Sequence, residues 1–210
     1  MQVTPDSQAE LGLSITEATT RAQIIGATIA TIAEQGYART TFARIKERAG
    51  LSSTRLISYH FTNKAGLLQA VLSTVVETRT QYLSERSTGI DPGDRRGNLR
   101  AYLETSVAFL RDYPQCVQVL VELGAHTGDR DGWSMTGVML TQMRTGFVQR
   151  QLEQGKREGV FGDISAEVVA LSIAQAVDGV AAAYAADPSL DLERYGRELA
   201  DLFDRATAVR

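Results

Sequence analysis

One stretch of 28 residues, TFARIKERAGLSSTRLISYHFTNKAGLL at 41–68, limits what this chain can fold into more than any other. Phe42, Ile45 and Ala49 recur at helical spacing and make the inner stripe of a two-turn helix, with Arg44 and Arg48 directed elsewhere. Thr41 stands at the N-cap position, where a hydroxyl takes up a free backbone N–H. Gly50 permits a tight turn because it tolerates backbone angles that other residues resist. Ser52 or Ser53 then caps another helix that runs to about Phe61, and Thr62-Asn63 breaks and recaps the chain before Leu67-Leu68. Two short helices joined by an Ala-Gly-Leu-Ser turn make a helix-turn-helix. Leu51, Leu56 and Ile57 complete its apolar inner face, and Ser53, Thr54, Arg55, Ser58 and Tyr59 are left on the outer one.

The charge distribution gives that outer face a partner. The whole chain carries a net charge of −3, which by itself argues against nucleic acid. From Tyr37 to Leu67, however, Arg39, Arg44, Lys46, Arg48, Arg55 and Lys64 face Glu47 alone, and the acidic excess lies on either side. A short basic segment in an acidic chain is the footprint of one part approaching phosphates. The second helix of such a motif enters the major groove of double-stranded DNA. There Arg55 is the natural base reader, because its fork pairs bidentately with guanine. The hydroxyls of Ser53, Thr54, Ser58 and Tyr59 suit phosphate contacts that set register, and Thr41, Arg44, Ser52 and His60 are further DNA-binding candidates, His60 equally suited to packing at the helix end. Lys64 opens the following helix, where its charge and the terminal amides serve the same backbone.

Helical periodicity continues on both sides. Ser14-Ile15-Thr16-Glu17 has capping-box spacing, Ala22, Ile25, Ile29 and Ile32 follow, and Gly36 is a stop. After residue 63 a helix carries Leu67, Leu68, Val71, Leu72 and Val75 and ends near Arg86. The Gly-, Asp- and Arg-rich 87–97 is a loop, beyond which helices are predicted at Asp94–Asp112, Pro114–Thr127, Trp133–Glu158, Ser165–Ala186 and Asp191–Ala208. No segment alternates like a strand. The expected fold is all-α with about nine helices: a tail at 1–14, the helix-turn-helix domain at 15–62, a connecting helix at 63–86 and a helical domain at 87–210.

Other classes find little support. Cys116 is the single cysteine and His60 and His126 are far apart, so neither a disulfide nor a metal site is expected. No Gly-rich phosphate loop, nucleophile motif or zinc-type histidine pair points to an enzyme, and no cofactor is expected. The basic segment counts against an adaptor that binds protein alone. The most apolar stretch, 168–186, holds Asp178 in mid-span, which favours a buried or interface helix over a membrane span. With no secretory leader visible, the expected location is the cytoplasm.

The residues Gly36-Tyr37, Thr40-Thr41, Ile45, Ala49-Gly50-Leu51-Ser52, Tyr59-His60-Phe61, Lys64 and Leu67-Leu68 resemble the N-terminal domain of the tetracycline-repressor-like (TetR) family. The resemblance is specific over about residues 20–75 and looser beyond. Ser53 to Ser58 fill a gap one residue longer than is common in the family, which shifts the outward face of the recognition helix by about one position. The resemblance implies a homodimer that binds palindromic operator DNA, most simply as a repressor, and releases it when a small, largely apolar effector binds the C-terminal domain. An activator or a ligand-independent regulator of the same fold is the alternative.

For the effector, aromatic, sulfur and polar positions in the middle helices are the candidates: Tyr102, Phe109, Tyr113, Cys116, His126, Trp133, Met139, Met143 and Gln175. At helical spacing such residues also serve as plain core, so as a group they mark a region. The resemblance assigns the last two long helices to a dimer interface, with Ser172, Ala176, Gly179 and Ala183 giving close approach and Leu199 and Phe203 apolar contact. Asp178 in this apolar helix is expected to find a capping, cross-subunit or ligand partner.

Overall fold

A computed structural model describes residues 15–125 and 137–209. Nine α-helices and one 3-10 turn make up its regular structure, with no strand among the described residues. The helices are α1 (Ile15–Gln35), α2 (Phe42–Arg48), α3 (Arg55–His60), α4 (Lys64–Arg86), α5 (Arg95–Asp112), α6 (Pro114–Ala125), α7 (Gly137–Arg157), α8 (Ala166–Ala186) and α9 (Leu192–Ala206). The all-α expectation holds, and the predicted ends fall within a few residues of these bounds, apart from those at Thr127 and Trp133, which lie outside the described residues.

Two compact units divide the chain, and they cut across the boundaries drawn from sequence. The first holds α1 to α3, α4 as far as Thr78, and α6; the second holds the rest of α4 with α5, α7, α8 and α9. Helix α6, expected with the C-terminal helices, packs on α1. The cause is apolar: Cys116, Val119 and Leu123 are fully buried along one face of α6. Helix α1 is central enough to bury more than one face, with Ile24, Ile25, Ile29 and Ile32 essentially inaccessible. Its buried Thr28 and Thr31 hydroxyls donate to the carbonyls of Ile24 and Ala27, at 2.8 and 2.7 Å, so neither hydroxyl is stranded.

The link between α1 and α2 is more ordered than its sequence predicts. Gly36 ends α1 at φ 79°, and Tyr37–Arg39 forms a 3-10 turn whose tyrosine is 1% exposed. In the second unit, Leu99, Tyr102 and Leu103 of α5 pack with Val148 and Leu152 of α7, Ala170 and Ile173 of α8, and Ala200 and Phe203 of α9. Ion pairs Arg96–Asp204 and Arg95–Glu158 lie over this core, tying α5 to α9 and α7.

Candidate nucleic-acid interface

The helix-turn-helix is assembled from its caps inward. Thr41 is the N-cap of α2, and its hydroxyl accepts from the Arg44 N–H. Gly50 turns the chain at φ 63°, a left-handed angle that costs a β-carbon roughly 1–2 kcal/mol. Gln23 of α1 donates to the Ala49 carbonyl at 2.6 Å and fastens the turn to the first helix. Helix α3 starts differently from the expectation. Thr54 is its N-cap and makes no side-chain cap bond, while the Ser53 hydroxyl, one residue earlier, accepts from the Arg55 N–H at 3.1 Å. Ile45 and Ile57 are the buried inner residues of α2 and α3.

Burial of Ile57 settles the outward face that the extra residue had shifted. Arg55, Ser58 and Tyr59 are exposed, Ser53, Thr54 and His60 are partly covered, and Ser52 is exposed beside the turn. The Arg55 side chain has no hydrogen-bond or ion-pair partner among the described residues. Several of the other basic side chains are engaged. Arg44 donates to Gln35 Oε1 at 2.7 Å and to the Arg39 carbonyl at 3.0 Å, and Arg48 pairs with the Glu34 carboxylate. Lys64, expected to face phosphate, holds its ammonium 4.5 Å from the centre of the Tyr37 ring.

Two contacts pin α3 to α1. Arg21 Nη1 donates to the His60 carbonyl at 2.9 Å, and its guanidinium stacks 4.2 Å from the centre of the Phe61 ring. Burial there lowers the Arg21 pKa. The Tyr59 hydroxyl donates to Glu17 Oε1 at 2.8 Å, which raises the Tyr59 pKa. His60 packs edge-on to Tyr59 with ring centres 5.1 Å apart, and burial followed by the nearby Arg21 charge lowers its pKa. Sequence reasoning missed Arg21, Gln23 and Glu17. The usable signal was that Arg21 is the one basic residue on a helix otherwise buried around Ala18, Ala22 and Ile25.

The candidate effector residues are divided between the two units. Tyr102 and Phe109 are buried in the second unit and Gln175 is exposed on α8, whereas Tyr113 and Cys116 belong to the first unit. His126 and Trp133 lie outside the described residues, as do the side chains of Met139 and Met143. Burial pushes the Cys116 thiol up to about 11, as befits a small core residue. A residue not anticipated from sequence is Arg79 of α4, whose Nη2 donates to the Tyr102 hydroxyl at 2.9 Å and the Ser106 hydroxyl at 3.3 Å. Its signal was legible: Leu68, Val71, Leu72, Val75 and Tyr82 are all buried along α4, and Arg79 continues their spacing.

Two of the candidate interface residues have contacts within the chain. Phe203 belongs to the core of its own unit, with Leu199 packed against it, because α9 buries this face on α5. Asp178 has its partner within the chain, the Arg144 guanidinium of α7. Ser172 and Gly179 are exposed, and Ala176 and Ala183 partly so.

Comparison with known proteins locates the same segment. Residues 24–71 match the family described as bacterial regulatory proteins, tetR family. The chain is 41% identical over 81 residues to the HTH-type transcriptional regulator BetI of Paraburkholderia xenovorans, covering 39% of this chain and 40% of that one. It is 43% identical over 84 residues to the HTH-type transcriptional regulator TtgR of Pseudomonas putida, covering 40% and 39%. The chain thus spans about two fifths of the length of the curated relatives it matches. The fold extends further: a TetR family transcription regulator from Marinobacter aquaeolei superposes with a TM-score of 0.74 at 18% identity, over 91% of this chain and 96% of that one.

Proposed function

We propose that this chain, which matches the TetR family of bacterial regulators over residues 24–71, is a cytoplasmic repressor that binds operator DNA as a homodimer and lets go when a small effector binds its second unit. The observation that carries the DNA reading is the outward face of α3. It presents Arg55 free, with Ser58 and Tyr59 beside it, on a helix held from behind by Ile57 and by Arg21. A free guanidinium on an exposed helix suits bidentate pairing with guanine, and the neighbouring hydroxyls suit phosphate.

The dimer reading rests on α8. This helix has the length and apolarity of a membrane span, yet only 22% of its most apolar window is buried within the chain. Val168 is 60% and Leu171 45% exposed, and Ser172, Gln175 and Gly179 continue the same face. An exposed apolar face edged by polar residues favours a protein partner, and small residues let that partner approach. The occupant is a second copy, because two recognition helices spaced by about 34–36 Å read the matched half-sites of a palindrome. An effector that binds better to a state of wrong spacing draws the population off DNA.

The test is fluorescence anisotropy of the purified chain with the DNA flanking its own gene, over a salt series. Selective binding that steepens with falling salt and weakens at least about tenfold in Arg55→Ala supports the reading. Failure there and in selection from random DNA removes it.

A further inference from the structure

Most arginines of the second unit reach a carboxylate, and Arg79 is one of those that do not. Arg86, Arg95, Arg96, Arg100, Arg111 and Arg144 each reach a carboxylate. Arg79 is half-buried on the inner stripe of α4, donates to two hydroxyls, Tyr102 Oη and Ser106 Oγ, and holds its guanidinium 5.5 Å from the centre of the Tyr102 ring. A covered guanidinium is costly to leave without an anion, and hydroxyls compensate it poorly because they carry no charge. Both hydroxyls come from α5 and both are on buried residues, Tyr102 8% and Ser106 3% exposed. The Tyr102 ring packs against Phe147 of α7 at 5.9 Å between centres, and Phe147 is 52% exposed. An exposed aromatic side chain, a buried tyrosine and a cation with two hydroxyls able to donate thus adjoin one another.

We infer that Arg79, Tyr102 and Ser106 bind the carboxylate of an amphipathic acid, whose apolar body lies along Tyr102 and Phe147. The inference rests on the second unit being the effector-binding part and names the chemical class of the effector. The guanidinium supplies a planar fork that matches a carboxylate, and the two hydroxyls turn from accepting Arg79 N–H bonds to donating to the anion. A cationic drug is disfavoured by the same charge. A neutral alcohol of equal length fills the apolar part and leaves the cation uncompensated.

The experiment is calorimetric titration of the full-length protein with two acid probes, decanoate and 3-phenylpropionate, against decan-1-ol, 3-phenylpropan-1-ol and decylamine. At least one acid is expected to bind about 10- to 100-fold more tightly than its alcohol, the range of a hydrogen-bonded charge pair. The amine is expected not to bind. Arg79→Gln should erase the preference for acid over alcohol, and Arg79→Lys should keep part of it, with thermal unfolding checking that both variants fold. Equal affinity for acid and alcohol, an acid preference that survives Arg79→Gln, or binding of neither acid overturns the inference. Operator binding is measured on the same samples without probe. Operator binding with no acid preference removes this inference and leaves the regulator reading intact. Acid binding without any effect on operator affinity removes effector control and leaves the site.

Discussion

The carboxylate of Glu122, on α6, accepts a 2.8 Å hydrogen bond from the backbone N–H of Tyr37, at the start of the 3-10 turn between α1 and α2. Gly36 is the N-cap of that turn and makes no side-chain cap bond, so the cap is supplied from 85 residues along the chain. The same carboxylate lies 3.1 Å from where a β-carbon on Gly36 would be, at a backbone angle already costly for other residues. Helix α6 therefore helps to set the geometry at the entrance to the helix-turn-helix.

Glu122→Ala is expected to destabilise the protein by about 1–2 kcal/mol, the cost of leaving a partly buried N–H without its charged acceptor. Glu122→Gln keeps an oxygen acceptor and should lose less than half as much. Urea unfolding measures both. An alanine variant as stable as the parent means that water replaces the carboxylate at no cost and that the cap is incidental.

Glu17 sits where an acid is a liability for DNA binding, with its carboxylate on the Tyr59 hydroxyl at 2.8 Å. A phosphate recruited to that hydroxyl must displace a like charge. Glu17→Gln should raise operator affinity by about two- to fivefold at low salt, with the gain shrinking as salt screens the repulsion. Anisotropy titrations at two salt concentrations decide it. A loss of affinity instead assigns Glu17 the job of orienting Tyr59.

The parts legible in the sequence were those governed by local rules. Gly36 and Gly50 take the positive φ angles their places demanded, Thr41 caps α2, and the apolar stripes of α1 and α4 are buried. What escaped were contacts between residues far apart in sequence. Nothing local marks Glu122 as the partner of Tyr37, or Arg21 as the residue that ties down the His60 carbonyl. Phe203, expected at an interface, packs in the core of its own unit, and the ambiguity has a related cause. A helix amphipathic enough for an interface is amphipathic enough for a core, and periodicity alone does not separate the two.

His60 should make stability depend on pH. Burial and the Arg21 charge hold its pKa below the ordinary 6.5, with Glu17 opposing them. Between the lowered value and 6.5 the unfolded chain binds more protons than the folded one, so stability rises with pH through that window. The contribution is complete above 6.5 and is lost as the pH falls through the lowered value. His60→Gln has no such proton to bind and should flatten the stability curve between about pH 7 and pH 5. Parallel curves for parent and variant would show that His60 titrates alike in both states.

Cys116 offers a probe of how firmly α6 is seated. It is the only cysteine, it is fully buried, and burial raises its thiol to about 11. At about pH 8 the folded protein should react with a thiol-specific disulfide reagent at least about 100-fold more slowly than the urea-unfolded chain, since both access and thiolate are withheld. Rapid labelling of the folded protein means that α6 detaches from α1 without global unfolding.

The apolar face of α8 makes the last prediction. Leu171 is 45% exposed and outside the core formed by Ala170 and Ile173, so a charge there disturbs the fold little. In a dimer joined through α8 the same charge is buried against its own copy, because a two-fold interface brings identical patches together. Leu171→Glu should therefore convert a dimer to a monomer in sedimentation velocity at about 10 μM while retaining helical content, and its melting temperature should lose the concentration dependence expected of the parent. Operator binding should weaken sharply, since one recognition helix then reads one half-site. A variant that still sediments as a dimer places the contact away from this face. A parent chain that is itself a monomer at this concentration leaves α8 for another partner and removes the palindromic reading with it.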